Sequence, residues 1–305
     1  MAVTGIEQRV FGIVSGTGLF GGGYSTLITT IIDKISIGSL GNASSFGDLL
    51  TARTYLAACG SSTRAVFSGG LDSDGDPVRV MEYTPFSTGT TITTFGDLTY
   101  DRSDVAGCGN STTGVFGGGF DTGDMNAIDY ITIATPANAV DFGDLIQARS
   151  DLAACSSTTR GIFGGGWVSS VYVNFIDYIT ISTPSDATNF GDLSLERAYL
   201  ASCSSKTRGV FGGGNDSSYV NTIDYITIAS TGDATDFGDL TEPRDGVSGC
   251  SSTTRGIFGG GYTGAESNVI DYITIANTGD ATDFGDLTVA RDGTGACSDC
   301  HGGIG

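Results

Sequence analysis

Apolar residues along this chain come in short runs without the 3.6-residue period of an amphipathic helix, and the runs are punctuated by Gly, Ser, Asp, Asn and Pro. Residues 151–193 show the pattern. Four extended segments can be read there: DLAACSS (Asp151–Ser157), RGIFGGG (Arg160–Gly166), FIDYITI (Phe175–Ile181) and one centred on NFGDL (Asn189–Leu193). The third is rich in Ile, Tyr and Thr, whose branched and aromatic side chains suit a pleated surface. Turn-forming residues separate the four.

The same four segments recur along the chain. FGDL begins at Phe46, Phe95, Phe142, Phe190, Phe237 and Phe284, at spacings of 49, 47, 48, 47 and 47 residues. An Arg follows each at constant distance (Arg53, Arg102, Arg149, Arg197, Arg244, Arg291), and a Cys stands six residues after it (Cys59, Cys108, Cys155, Cys203, Cys250, Cys297). A Phe precedes a Gly-rich triplet at Phe20, Phe67, Phe116, Phe163, Phe211 and Phe258. An acid sits inside the third segment at Asp33, Glu82, Asp129, Asp177, Asp224 and Asp271. Four strands per repeat of about 48 residues, six times over, predict an all-β fold: a six-bladed β-propeller of four-stranded blades. Residues 18–305 are assigned to it, and residues 1–17 to an N-terminal arm or attachment segment.

The order of Arg, small-residue strand, aromatic-Gly-Gly, variable loop, tyrosine strand and aromatic end resembles the kelch repeat, from about Gly18 to Cys297. Phe in FGDL replaces the usual Trp, and the glycine pair is widened to a triplet. The wording IDYITIA, FGDL and AACSSTTRG also resembles kelch-like proteins of tailed bacteriophages, often found among tail or other virion genes. That resemblance implies a virion protein made in the host cytoplasm. Its partners would be other virion proteins or a host-surface glycan or protein, and it would act within an assembly, as a homo-oligomer or otherwise.

How the ring closes has two solutions. Residues 293–298 keep the repeat and can supply the missing innermost strand of the first blade; the extended segment within 8–14 is the rival. C-terminal closure is preferred because Cys297 fits the pattern, and it removes an open sheet edge.

Composition narrows the chemistry. Fourteen basic against 34 acidic residues leave a net charge of −20, which argues against nucleic acid or an anionic membrane as partner. No stretch reaches the ~18 apolar residues of a membrane helix, so no membrane insertion is expected. The N-terminus does not read as a secretory signal. Only one His is present, which excludes a multi-histidine metal site and the copper site of a galactose-oxidase-type propeller.

Recurring residues are expected to build shape. The six Cys should ring the axis, too far apart for disulfides. The Asp129 series and the Asp144, Asp192, Asp239 and Asp286 series are expected to pair with the Arg149 series and with Arg64, Arg160, Arg208 and Arg255, or to bond backbone in turns. A catalytic site would break the symmetry these acids express, so neither an enzyme nor a cofactor is expected. Cys297, Cys300 and His301 spell C-x-x-C-H, but a solvent-facing chain end is the expectation there. Asp72, Asp74 and Asp76 alternate around Gly75 as in a calcium loop, yet Pro77 and Tyr83 stand where that loop needs Gly and Glu, so they form a weak calcium candidate.

Sequence varies in the loop between the second and third segments of each copy. Tyr24, Phe120, Trp167, Tyr172, Asn215, Tyr219 and Tyr262 are the binding candidates, aromatic or amide side chains on one rim suited to glycan or protein contact. The expected function is a non-enzymatic structural or adhesion (receptor- or glycan-binding) component of a phage virion. The alternatives are a cellular kelch-type interaction scaffold and, third, a polysaccharide-acting enzyme.

Overall fold

In the computed structural model, which describes residues 16–88 and 91–304, six four-stranded antiparallel sheets stand around one axis, with no helix among the described residues. In the fourth blade, from the axis outward, the strands are Ala153–Ser156, Arg160–Gly164, Phe175–Thr180 and Thr188–Asp192. A two-residue hairpin, Trp167–Val168 with Val171–Tyr172, grows from its variable loop, an element the four-segment pattern does not announce. The first blade takes its innermost strand, Gly295–Ser298, from the other end of the chain. That strand pairs with Thr17–Gly21 in the register Leu19↔Cys297, so C-terminal closure is what the fold uses. The rival segment 8–14 and the arm up to residue 15 lie outside the described residues.

The FGDL motif has a physical cause. In all six blades a β-bulge falls between the third-strand aliphatic residue and the acid after it, for instance between Ile176 and Asp177 opposite Gly191 and Asn189. The bulge leaves the FGDL Phe as the extra residue and turns its ring inward, where Phe142, Phe190, Phe237 and Phe284 are buried. The Gly after it takes φ of +140° to +152° at Gly96, Gly143, Gly191, Gly238 and Gly285. A Cβ there would lie 2.4–2.6 Å from backbone of the next blade's turn. That turn also covers the sheet edge: the Ala187 amide donates to the Asp144 carbonyl, and Ala139, Ala234, Ala281 and Ala43 do the same in their blades.

Each linker is clasped to the blade it enters. Arg102 donates through Nη1 to the carbonyls of Gly118 and Ala127 (2.8 and 2.7 Å) and through Nη2 to Asp129 (2.9 Å). Asp129 also accepts from the Thr99 amide and hydroxyl in the same linker. The pairs Arg53–Glu82, Arg149–Asp177, Arg197–Asp224, Arg244–Asp271 and Arg291–Asp33 repeat it, all fully buried. The Arg149 series therefore pairs as expected.

The second Arg series does not. Arg160 stands opposite Thr180, at the far end of the strand pair from Asp177, which is opposite Phe163. Arg64, Arg160, Arg208 and Arg255 instead stack 4.2–4.7 Å over Tyr83, Tyr178, Tyr225 and Tyr272. They also donate to the carbonyls of Ile133, Ile228, Ile275 and Ile37 of the following blade. Nor does the Asp144 series enter ion pairs among the described residues. It closes the outermost strands, where Asp144, Asp192 and Asp239 face solvent.

Candidate functional site

Three rings of residues crown one end of the axis. The outermost is the variable one. Tyr24, Leu71, Phe120, Trp167, Asn215 and Tyr262 each make an antiparallel bridge to a linker residue, respectively Asp292, Thr54, Ser103, Ser150, Ala198 and Asp245. The glycine triplets deliver them there. Gly118 (φ +70°) and Gly119 (φ +111°) turn the chain so tightly that a Cβ would meet the Arg149 and Ser103 carbonyls at 2.7 and 2.6 Å.

The inner ring escaped the sequence reading. Tyr55, Asp104, Asp151, Tyr199, Gly246 and Gly293 all take the left-handed conformation, with φ of 53–60°. Their backbones close a six-membered hydrogen-bonded circle: the amide of each donates to the carbonyl of the one before, Tyr55 to Gly293 completing it, at 2.7–3.2 Å. Only glycine takes this conformation without strain. The slot shares a backbone angle and not a residue type, so its one sequence signal was the pair of glycines two residues after Arg244 and Arg291.

Here the sixfold symmetry breaks. Asp104 and Asp151 are neighbours in the ring, each accepting from the hydroxyl of the serine before it. Burial raises both pKa values, and the neighbouring Asp104 pushes Asp151 further. On the opposite side Gly246 and Gly293 carry no side chain, and a cleft of about 420 Å³ opens over Gly246 between Tyr55 and Tyr199. Tyr24, Tyr219 and Tyr262 complete its aromatic wall, the last two edge to face at 5.8 Å. Its polar groups are Asn215, Asp245, Glu266 and Asp292.

Asp292 is only 8% exposed; Oδ2 accepts from the Tyr55 hydroxyl at 3.3 Å, and Oδ1 has no hydrogen-bond partner among the described residues. Burial raises its pKa to about 6, against the opposing pull of the Tyr55 hydrogen bond. Burial likewise raises Asp245, which accepts from Asn215 Nδ2 at 2.9 Å. Tyr55 and Tyr199 are pushed up by burial and by nearby carboxylates, so both phenols stay neutral.

Of the seven binding candidates, the cleft thus gathers Tyr24, Asn215, Tyr219 and Tyr262. Tyr172 joins from next door, its hydroxyl donating to Asn215 Oδ1 at 2.9 Å. It packs edge to face with Trp167 at 4.5 Å, and both line a second, larger cavity of about 810 Å³ with Glu196 and Asp216. Phe120 stands apart, 40% exposed, on the third blade. In the calcium candidate, Asp72 Oδ1 is used within the loop, accepting from the amides of Asp74 and Asp76. Among the described residues no three carboxylate, imidazole or thiol groups are disposed to hold a metal ion.

At the other end of the axis the innermost strands narrow the channel. Their cysteines Cys59, Cys108, Cys155, Cys203, Cys250 and Cys297 are buried and free, and the sulfurs of the first five pack against a second-strand glycine of the next blade. The expectation of a solvent-facing chain end is overturned: the tail crosses this mouth. His301 Nε2 donates to the Gly60 carbonyl (2.9 Å) and Nδ1 accepts from the Gly303 amide (3.1 Å), while the Gly302 amide reaches the Ser204 carbonyl. The axis itself supplies the acceptors: inner-strand carbonyls that end at the channel bond the tail. Both imidazole nitrogens are engaged, and burial lowers the His301 pKa.

The chain matches no protein-family model, and none of the curated proteins matches it.

Proposed function

We propose that this propeller is a non-catalytic binding module, a receptor- or glycan-binding component of a bacteriophage virion that engages its ligand through the tyrosine-lined cleft. One observation carries the reading: the two recurring Arg series and their carboxylate and tyrosine partners are consumed by the scaffold, while irregular residues converge on one face around a tyrosine-lined cleft. Six Arg–carboxylate clasps and four Arg–Tyr stacks account for the repeated letters. What departs from the repeat is five tyrosines and an amide around a cleft sized for a small ligand or a few sugar rings. Tyrosine rings offer flat apolar area to the carbon–hydrogen faces of sugars, at low entropy cost, and hydroxyls for their rims. The virion setting, with other virion proteins as neighbours, rests on the resemblance to kelch-like phage proteins.

A labelled-protein glycan array tests this. Wild type binds a defined set of glycans; Tyr262→Ala loses them with its melting temperature unchanged, and Trp167→Ala reports whether the neighbouring cavity extends the footprint. Silence on the array together with no retention on host cells overturns the binding role. Turnover of any bound polysaccharide overturns the non-catalytic assignment. Absence of the chain from purified phage particles removes the virion setting.

A second reading has its own observation. Leu27, Phe120 and Val171 project from the variable loops at 76%, 40% and 57% exposure. Exposed apolar tips of this kind suit a protein partner, as in a kelch-type interaction scaffold.

A further inference from the structure

The cleft carries more information than its tyrosines. Asp245, Glu266 and Asp292 contribute three carboxyl groups, and among the described residues no Lys, Arg or His lines it. Asp292 is nine-tenths buried, with one carboxylate oxygen that no group among the described residues satisfies. A buried acceptor left open is costly, so a ligand that completes it gains that cost back as affinity. A sugar hydroxyl would supply a donor but leave the carboxylate charges uncompensated. An ammonium group supplies donor and charge together, and its bond to a carboxylate is of the strong, charge-assisted kind. Tyr55 and Tyr262 add ring faces, which attract cations. A quaternary ammonium would use the rings but has no N–H for Asp292. Divalent metal chemistry lacks a third converging ligand among the described residues.

We propose that the cleft recognises the protonated amino group of an amino sugar, with the Asp292 carboxylate as its acceptor and the tyrosines against the sugar ring. This rests on the glycan reading above and names the substituent that reading leaves open. The groups facing Asp292 are Tyr55, which donates to it, and the carboxyls of Asp245 and Glu266, which reinforce its negative field. Amine binding accordingly weakens as pH falls through about 6, where Asp292 takes up its proton, while a neutral sugar shows no such step.

Calorimetry at 0.15 M salt separates the outcomes. The probes are a β-1,4-linked glucosamine tetramer, its fully N-acetylated counterpart, choline and tetralysine. The glucosamine tetramer is expected to bind about tenfold tighter than the acetylated one, the ratio a charge-assisted hydrogen bond supports. Asp292→Asn should erase that difference between the two tetramers. Equal affinity of the two tetramers, an unchanged ratio in Asp292→Asn, or no binding of the glucosamine tetramer overturns the amine assignment. Choline binding tighter than glucosamine overturns the role of Asp292 as acceptor. Tetralysine binding as tightly, and insensitive to Asp292→Asn, means attraction to the acidic surface alone and also overturns it. The glycan reading fails separately, when no array glycan depends on Tyr262.

Discussion

Replacing Arg102 by Met removes one clasp while keeping an unbranched apolar chain in its place. Three consequences follow from the geometry. The Gly118 and Ala127 carbonyls lose donors at 2.8 and 2.7 Å, and Asp129 loses its guanidinium at 2.9 Å, all fully buried. Asp129 keeps the Thr99 amide and hydroxyl, so the carboxylate is weakened rather than abandoned. Removing one partner of a buried ion pair costs about 3–5 kcal/mol. At ~2.1 cal/mol/K per residue, a 305-residue chain unfolds with an entropy of about 0.6 kcal/mol/K, which converts that cost into a fall of about 5–8 °C in melting temperature. Differential scanning calorimetry reads this directly. The double variant Arg102→Met/Asp129→Leu should recover part of the loss, because it removes the isolated charge and leaves the Thr99 amide and hydroxyl and the Gly118 carbonyl short of partners, while the Ala127 carbonyl keeps the Gly118 amide. A fall of less than about 2 °C in the single variant would refute the reasoning that these pairs lock linkers to blades.

Asp292→Asn should stabilise the protein at high pH. A folded-state pKa of about 6, raised from 3.8, means that ionising this group favours the unfolded chain. The resulting penalty of about 3 kcal/mol is absent below pH 4, grows through the interval and is complete above about pH 6. The variant's melting temperature should exceed wild type by about 5 °C at pH 8 and equal it at pH 4; a rise of the same size at both would exclude ionisation as the cause. Deleting residues 301–305 should open the narrow mouth of the channel and speed labelling of the six inner-strand cysteines by a small maleimide by about tenfold or more, read by mass spectrometry. Unchanged labelling would show that the tail does not seal it.

The architecture was legible because each repeat solves the same local problem with the same letters. FGDL marks a bulge, the third-strand acid meets the linker Arg, and the glycine triplet makes a turn that no Cβ tolerates. Partnerships that depend on neighbouring blades were not legible. Arg160 reaches Tyr178 and Ile228 instead of a carboxylate because strand register, which spacing does not reveal, sets it three residues away from Asp177. The axial ring hid because Tyr55, Asp104, Asp151, Tyr199, Gly246 and Gly293 have only a φ angle in common. Tyr24, Tyr219 and Tyr262 stood out as departures from the repeat, but their convergence with Asp292 joins the first, fifth and sixth blades across the chain closure. The tail has no repeat to be measured against, and its fit to the channel mouth follows only from the ring being closed.

Hydroxyl-radical footprinting of the tyrosines, with and without a saturating glycan identified on the array, addresses the division between scaffold and recognition most directly. Protection is predicted at Tyr24, Tyr219 and Tyr262, with none at the partly exposed blade tyrosines Tyr83, Tyr130, Tyr178, Tyr225 and Tyr272. Protection falling on the blade set, or on neither set while the glycan is bound, would contradict the account.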